Sequence, residues 1–302
     1  MASPGQTSGP KPTPWPPLTL PFVDLFSGSV AGAAQVIVGQ PLDTIKTRAQ
    51  TAARGQFKGP TDILVQTVRR EGVLALYKGM ASPLMGIALQ NSLLFTAFQL
   101  SRRAVSPETS DLTTRQTVLA GAMAGAANSV MASPVELFKI RMQAQYGSAT
   151  DKKLRQVARD LWAEAGFRRG VMRGFWITVL RETPAYAGFY GGFTKSKELF
   201  QRKLYPNEAQ LPIWCLMASG SVGGICNWLA CYPLDVVKSR VQLTSRKLGP
   251  AYILDEFRAV VHEGGYAALV RGLSPTLLRA IPAAAATFTA FELTKDALEG
   301  RR

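Results

Sequence analysis

The chain has 302 residues, of which 47% are hydrophobic and only 18% are charged, below the roughly 25% that is usual for soluble domains. A single His and three Cys exclude a His-based metal site, a disulfide framework and a zinc ribbon, and we expect neither a metal nor a cofactor. The net charge of +15 would suit a nucleic-acid binder, but such a protein should have amphipathic patterns rather than long uncharged runs, so we expect no nucleic-acid partner.

The first 20 residues contain six Pro and a single charge, at Lys11, and are predicted to form a disordered tail. Six apolar stretches follow, each of about the 20 residues that a helix needs to cross a bilayer. All are rich in Gly, Ala, Ser and Thr, which let membrane helices pack closely. We therefore predict an all-α membrane protein with six transmembrane helices. The stretches are residues 26–42, 79–101, 116–135, 174–194, 211–234 and 272–291.

A ten-residue pattern recurs three times, with Pro, an acid, Lys, Arg and Gln at constant offsets. The copies begin at Pro41, Pro134 and Pro233. A segment bounded by Gly follows each copy, before the next apolar stretch. Recurrence at this period indicates a repeat architecture with pseudo-threefold symmetry. After the tail, the predicted repeats cover residues 21–112, 113–208 and 209–302.

The acid and the Lys of each copy are three residues apart and therefore share one face of a helix. Charges at the edge of the bilayer need partners. Around a pseudo-threefold axis the acid of one repeat can reach the Lys of the next, so we expect a ring of three ion pairs. The expected pairs are Asp43–Lys139, Glu136–Lys238 and Asp235–Lys46.

The triplicated Pro-x-Asp/Glu-x-x-Lys signature, with the repeats that extend from Phe22 to Leu298, resembles the mitochondrial carrier family. The resemblance implies a six-helix bundle in the mitochondrial inner membrane, with both termini towards the intermembrane space and short helices on the matrix side. It also implies a secondary transporter that works by alternating access, in which the ring of ion pairs closes the matrix side. The sequence has no Walker loop or dinucleotide fingerprint, so we expect no enzyme activity. We further expect a monomer that binds membrane lipid, cardiolipin in particular.

Two further features of that family bear on gating. Its Gln at the end of the motif braces an ion pair, and here Gln50, Gln143 and Gln242 are all expected to do so. Its second motif, an aromatic residue followed by an acid and later a base, closes the cytoplasmic side. Only Glu292 is acidic in the three copies, so we predict a weak cytoplasmic ring and an empty protein open to that side. The residues expected in the second gate are Arg102, Lys197, Glu292 and Lys295.

Positions that differ between the repeats are candidates for specificity, because a substrate lacks threefold symmetry. When the even-numbered helices are aligned on their motif aromatics, Gly86, Arg181 and Arg279 fall at one depth, and Glu182 follows Arg181. Ionised groups at membrane depth must face water or a partner. Neighbours on a helix point about 100° apart, so Arg181 and Glu182 should not neutralise each other. We expect the arginines to bind a carboxylate and Glu182 to bind an ammonium group.

Other polar and aromatic residues are expected at the same cavity. Six residues before each motif Pro stands an amide, which can offer neutral hydrogen bonds. Aromatic faces attract cations, so aromatic residues near this level are candidates to wall the cavity. The amides are Gln35, Asn128 and Asn227, and the aromatic residues are Trp228, Tyr186 and Tyr190.

The Arg181–Glu182 pair resembles the amino-acid and carnitine branch of the family, and its surroundings resemble ornithine carriers and some fungal relatives most. Ornithine carriers have a Glu where Gln90 precedes Asn91, so both residues are expected at the site. Because an amide pairs a cation less well than a carboxylate, a neutral amino acid or carnitine stays open. We expect exchange of a zwitterion of the ornithine or arginine type. The alternatives are carnitine/acylcarnitine exchange, which Trp228 favours, and a proton-leak or regulatory homologue without a metabolite.

Overall fold

Every regular element in the computed structural model is helical among the residues that it describes. The predicted disordered tail over residues 1–20 lies outside the described residues. The described residues are 22–52, 55–107, 112–145, 151–206, 208, 211–246 and 248–299.

Three long–short–long sets of helices follow one another along the chain. The long helices have 25 to 31 residues, enough to cross a bilayer. The short ones have 12 or 13 residues and lie between the two long helices of each repeat. In chain order the helices are α1 (Phe22–Thr51), α2 (Pro60–Glu71), α3 (Ala81–Val105), α4 (Thr114–Gln143), α5 (Leu154–Ala165), α6 (Phe175–Lys203), α7 (Ile213–Leu243), α8 (Tyr252–Gly264) and α9 (Leu273–Glu299).

The predicted all-α architecture with three repeats and six long helices is confirmed, but apolar character is uneven among the helices. Within the described residues, α4 and α7 alone are long and apolar enough to mark a membrane span by themselves. Helix α2 and the segment Val73–Val105, which includes α3, qualify as a third span only when taken together, and they are bent by 118°. Helices α6 and α9 carry Arg181 and Arg279 in their interiors. Charged residues that face a polar interior lower the mean hydropathy of a helix, although the helix stays long enough to cross a bilayer.

The long helices form a closed bundle, because α1 packs against α9 and the first repeat therefore meets the third. Helices α4 and α6 approach each other closely. A Cβ atom on Gly125 would lie only 2.5 Å from the Glu182 carbonyl oxygen, and one on Gly121 would lie 2.6 Å from the Tyr190 ring. Glycine at these two positions lets the backbones approach, as the small-residue pattern of the stretches suggested.

The segment between each short helix and the next long helix begins and ends at a glycine with positive φ, which side chains disfavour. In the first and third repeats this segment contains a 3-10 helix, at Val73–Tyr77 and Tyr266–Val270. In the second repeat it has one additional residue and forms a π-helix instead, at Gly166–Val171. The glycines are Gly72 and Gly79, Gly166 and Gly174, and Gly265 and Gly272.

Candidate functional site

A cavity of about 580 Å³ lies between the six long helices. At one end it is lined by the charged motif residues, which lie in the halves of α1, α4 and α7 nearest the short helices. At the other end its wall includes Gly28 and Gly220 near the starts of α1 and α7, and Phe193 and Phe288 towards the ends of α6 and α9. The cavity therefore runs along the bundle from the charged motifs to the opposite end.

A ring of ion pairs closes the cavity beside the short helices. Each acid contacts the Lys of the next repeat, and the three predicted pairings are confirmed. Asp43 and Asp235 are well buried, whereas Glu136 keeps 30% of its side chain exposed. The pairs are Lys139–Asp43 with 2.5 Å between Nζ and Oδ2, Lys46–Asp235 with 2.6 Å, and Lys238–Glu136 in direct contact.

Two acids of the ring hold a second cation. Arg279 Nε lies 3.0 Å from Asp43 Oδ1, and Arg181 Nε lies 3.3 Å from Asp235 Oδ1. Both arginines line the cavity, at the equivalent depth that the aligned helices predicted. Their Nε atoms are buried and lack a hydrogen-bond partner among the described residues. The arginines are thus held electrostatically, with donors left over.

The expectation that Arg181 and Glu182 would not pair was wrong. An Arg181 Nη atom contacts the Glu182 carboxylate, because the long arginine side chain can bend towards its neighbour although the two Cα–Cβ bonds diverge. Glu182 is 2% exposed and lies behind the cavity wall, against α4, whereas Arg181 lines the cavity. In this conformation Glu182 supports Arg181 and does not face a ligand.

Trp228 lies at the cavity wall, and three cationic side chains of the protein lie near its ring. Lys46 Nζ is 4.0 Å from the centre of its ring, and the guanidinium carbons of Arg181 and Arg279 are 4.9 and 5.7 Å away. All three distances are in the range of cation–π attraction. The indole therefore positions the arginines as well as lining the cavity.

Most of the other residues predicted at the cavity line it, but Asn128 does not. Asn128 is 2% exposed, and its amide donates a 3.4 Å hydrogen bond to the Tyr186 hydroxyl. The sequence prediction failed here because Tyr186, on α6, packs over this part of α4, where the Cβ that Gly125 lacks would lie 2.8 Å from the Tyr186 ring. The predicted residues that line the cavity are Gln35, Gln90, Asn91, Tyr186, Tyr190, Asn227 and Trp228.

Of the three motif glutamines, Gln50 braces an ion pair. Its amide donates to Asp235 Oδ2 over 3.0 Å, and its carbonyl oxygen accepts from Ser239 Oγ over 2.9 Å. The Asp235 carboxylate thus has Lys46, Arg181 and Gln50 around it.

The other two glutamines do not brace the ring, contrary to the prediction. Gln143 exchanges hydrogen bonds with the hydroxyl groups of Thr44 and Thr47, at 3.2 and 2.8 Å. Gln242 donates to the Ser133 carbonyl oxygen over 3.4 Å. The Thr44 hydroxyl accepts from the Gln143 amide and stands where the other repeats have Leu137 and Val236, so the shared position of the glutamines does not produce a shared brace of the ring.

At the opposite end of the cavity, an aromatic stack joins α3 to α6. The rings of Phe98 and Tyr190 are parallel, with 4.0 Å between their centres, and Tyr190 packs over Gly121 of the helix between them. The Arg102 guanidinium lies 5.8 Å from the Phe98 ring. Phe98 is the aromatic residue of the second family motif in the first repeat, and Tyr190 was expected at the cavity wall, but the contact between them was not predicted.

The remaining residues of the predicted second gate lie near the surface. Lys295 Nζ is 5.7 Å from the Phe291 ring and 3.9 Å from Glu299 Oε1, both on its own helix. Lys197 is exposed and Glu292 is half-buried. The weak ring and the resting state open to this end stay predictions.

An ion pair beside the ring was missed by sequence reasoning. Arg48 pairs with Glu71 through two hydrogen bonds of 2.6 and 2.9 Å, and it also donates to the carbonyl oxygens of Gln143 and Gln145 at the end of α4. Burial raises the pKa of Glu71, but hydrogen bonds from Arg48 and Lys78 outweigh it and bring the pKa to about 2. The recurrence of Arg at this offset in all three copies was the available signal.

The charges around the cavity do not balance. Among the described residues that line it, five cations face three acids, and one positive charge stays unbalanced even when Glu182 is counted. Unbalanced charge in a partly buried cavity attracts a ligand of opposite sign. The cations are Lys46, Lys139, Lys238, Arg181 and Arg279, and the acids are Asp43, Glu136 and Asp235.

Comparison with known proteins agrees with this geometry. The chain matches the sequence model of the family described as "Mitochondrial carrier protein" over residues 19–108, 110–204 and 209–302. It therefore belongs to the mitochondrial carrier family. It is a membrane-embedded transporter of the mitochondrial inner membrane, and not an enzyme, and its substrate is a small-molecule metabolite.

The relatives belong to the amino-acid and carnitine branch, as the site residues indicated. The chain is 38% identical to a "Mitochondrial carnitine/acylcarnitine carrier-like protein" of Arabidopsis thaliana, over 91% of this chain and 98% of the relative. It is 35% identical to "Mitochondrial ornithine transporter 1" of Rattus norvegicus, over 90% and 93%. It is 36% identical to the "Mitochondrial basic amino acids transporter" of Homo sapiens, over 88% and 87%.

Proposed function

We propose that this carrier exchanges a carboxylate-bearing zwitterion across the inner membrane, and that the substrate is an amino acid of the ornithine or arginine type. The observation that carries the proposal is the pair Arg181 and Arg279, at one depth on the cavity wall. Guanidinium groups bind carboxylates through parallel, charge-assisted hydrogen bonds. A carboxylate would also offset the unbalanced positive charge of the cavity.

The contacts of the two arginines are compatible with a ligand that binds and dissociates. Each Nε lies near an aspartate of the ring without a hydrogen bond to it. A substrate carboxylate in the cavity would compete with Asp43 and Asp235 for the guanidinium charges. Substrate binding would thereby release the arginine contacts that Asp43 and Asp235 make in addition to their ring pairs.

Such a link between binding and the ring supports alternating access. The ring closes the matrix end of the cavity, on the side of the short helices, so substrate would enter from the cytoplasmic end. An empty carrier would keep its ring closed, because opening it without a ligand leaves buried charges unpaired. Obligatory exchange follows, since each reorientation needs a bound substrate.

The choice of amino acid rests on the relatives. Two of the three are named for ornithine and for basic amino acids. The Gln90–Asn91 pair lines the cavity, and Gln90 stands where ornithine carriers have a Glu. We assign the basic amino acids as substrates on the relatives and on the arginine pair together.

Exchange in liposomes tests the proposal. The purified protein is reconstituted with ornithine inside, and uptake of labelled ornithine, arginine and carnitine is measured, with empty liposomes as the control. We expect saturable uptake of ornithine and arginine only when substrate is present inside, together with thermal stabilisation of the protein by the same compounds. Uptake that ignores the internal substrate would contradict exchange.

Carnitine/acylcarnitine exchange is the second candidate, and two observations favour it. These are the 38% identical carnitine-like relative and the presence of Trp228 at the cavity wall, since aromatic faces attract quaternary ammonium groups. Lys46, Arg181 and Arg279 already lie near that ring, however, and leave less of it for a ligand. If saturable uptake of carnitine is faster than that of ornithine, the result would favour carnitine/acylcarnitine exchange.

A proton-leak or regulatory homologue without a metabolite is the alternative from another class. It predicts that none of the tested compounds stabilises the protein, because only a ligand of the native state raises stability by mass action. Binding of cardiolipin and a monomeric state also stay predictions, and mass spectrometry of the intact protein in detergent would test both.

A further inference from the structure

A basic amino acid brings a distal ammonium group into the cavity, and an acid must receive it. The expected acid, Glu182, lies behind the wall in contact with Arg181. Within the described residues, the acids that line the cavity are therefore the three of the ring, Asp43, Glu136 and Asp235.

These three acids differ in how many cations of the protein each one already contacts. Asp43 holds Lys139 and Arg279, and 13% of its side chain is exposed. Asp235 holds Lys46 and Arg181, and 6% of its side chain is exposed. Both acids thus face two cations at short range and have little surface left for a third.

Glu136 is the exception in the ring. Within the described residues its ion-pair partner is Lys238, whose side chain is 1% exposed, while Glu136 itself keeps 30% of its side chain exposed and lines the cavity. It is also the one Glu of the three motifs, so its carboxylate reaches one methylene farther than that of an aspartate. Of the three acids, Glu136 therefore has the most exposed side chain.

The exposure of Glu136 follows from the broken symmetry of the even-numbered helices. In the second and third repeats an arginine covers the acid of the following helix, and the equivalent residue in the first repeat is Gly86. Ser82, one turn earlier, donates to the Val135 carbonyl oxygen over 2.7 Å, and a Cβ on Gly86 would lie 2.7 Å from a Val135 methyl group. Gly86 therefore packs beside Glu136 without a side chain to cover it.

A neutral amide flanks the same place. Gln90 is one turn beyond Gly86 on α3, its side-chain nitrogen lies 3.0 Å from where a Cβ on Gly86 would be, and it lines the cavity. Its carbonyl oxygen can accept a hydrogen bond from an ammonium group but supplies no charge. A negative charge for a cation at this wall must come from Glu136.

We propose that Glu136 accepts the distal ammonium group of a basic amino acid whose carboxylate is held by Arg279 and Arg181. This inference rests on the proposed function. The ammonium group competes with Lys238 for Glu136, while the carboxylate competes with Asp43 and Asp235 for the arginines. The distal ammonium group therefore acts on a ring pair directly, whereas the carboxylate acts on the second cations of the other two acids.

The test compares ornithine with norvaline, which lacks only the distal amino group. In the full-length protein, we measure the concentration of each compound that gives the same thermal stabilisation. We expect the wild-type protein to prefer ornithine by about tenfold or more, the effect of one hydrogen bond to a charged group. The Glu136→Gln variant should bind the two compounds about equally. An unchanged preference in this variant would overturn the inference.

Asp43→Asn is the matched control, because it also removes one acid of the ring. It should lower stability without ligand but keep the preference for ornithine, and an equal loss of preference there would overturn the assignment to Glu136. If Glu136→Gln does not fold, Gln90→Glu provides the test. A carboxylate added at this wall should increase the preference for ornithine several-fold, and no increase would overturn the inference. Failure of the proposed function is distinct, since neither compound would then stabilise the wild-type protein.

Discussion

At the scale of single residues, burial decides how much an ion pair contributes. Arg48 and Arg240 hold the same position in the motifs of the first and third repeats, and they pair with Glu71 and Glu263. The side chains of Arg48 and Glu71 are 1% and 5% exposed, whereas those of Arg240 and Glu263 are 26% and 54% exposed. Removal of a carboxylate is costly where the buried cation cannot reach water, and it is inexpensive at Arg240, which is partly exposed and keeps an ion pair of 2.8 Å with Glu256.

We therefore predict that Glu71→Gln lowers the free energy of unfolding by about 3 kcal/mol, and Glu263→Gln by less than about 1 kcal/mol. Thermal unfolding of the two variants in the same detergent measures the difference. Equal losses would show that burial does not set the contribution of this pair.

The contribution of the Glu71 charge to stability should also depend on pH. The pKa of Glu71 is lowered from 4.5 to about 2, so the stabilisation by its charge is fully present above the ordinary pKa and is lost as the pH falls through the native one. The stability difference between wild type and Glu71→Gln should stay constant from about pH 5 to 8 and shrink below about pH 4. A difference that changes near neutral pH would assign the effect to another group.

The contacts that the sequence predicted correctly are those whose partners are fixed by helix spacing and by the threefold axis. The acid and the Lys of each motif stand three residues apart, and the ring pairs follow from the threefold axis alone. Arg181, Gln143 and Asn128 were misjudged because a flexible arginine, the hydroxyl groups of one repeat and an overlying tyrosine decide their contacts. These features depend on side-chain conformation and packing, which a repeat pattern does not contain.

At the scale of helices, close approach between α4 and α6 fixes the wall that holds Arg181 and Glu182. Gly125 touches the backbone of Glu182, whereas the equivalent glycine of the third repeat, Gly224, has its nearest neighbour 3.7 Å from the Cβ position, an ordinary contact. The motif position is the same, but only the second repeat uses it to bring two backbones together.

Gly125→Ala should therefore lower the free energy of unfolding by about 2 kcal/mol through overpacking, and Gly224→Ala should leave it nearly unchanged. Melting temperatures of both variants without ligand measure this. An equal effect at the two positions would contradict the asymmetric packing of α4 against α6.

The number, order and pairing of the long helices followed from apolar stretches and a repeat of roughly 95 residues, in keeping with repeat architectures in general. The π-helix at Gly166–Val171 did not follow, because one additional residue between two glycines can be accommodated in several ways. The packing of Tyr190 over Gly121 and onto Phe98 was also beyond the pattern, since it joins two helices on either side of a third.

At the scale of the whole molecule, one cavity is lined by both the ring of ion pairs and the two arginines that we propose to bind substrate. The arginines of α6 and α9 touch the acids of α7 and α1, so a ligand that binds the arginines acts on the ring directly. The central claim is that Arg181 and Arg279 recognise a carboxylate and that this recognition drives exchange.

Competition by putrescine, which is ornithine without its carboxylate, tests this claim most directly. Liposomes with internal ornithine take up labelled ornithine while unlabelled ornithine or putrescine is added, for wild type, Arg279→Gln and the exposed control Arg202→Gln. We predict that putrescine competes at least about tenfold more weakly than ornithine in wild type and Arg202→Gln, and that Arg279→Gln loses exchange. Equal competition by putrescine in the wild-type protein would contradict the account.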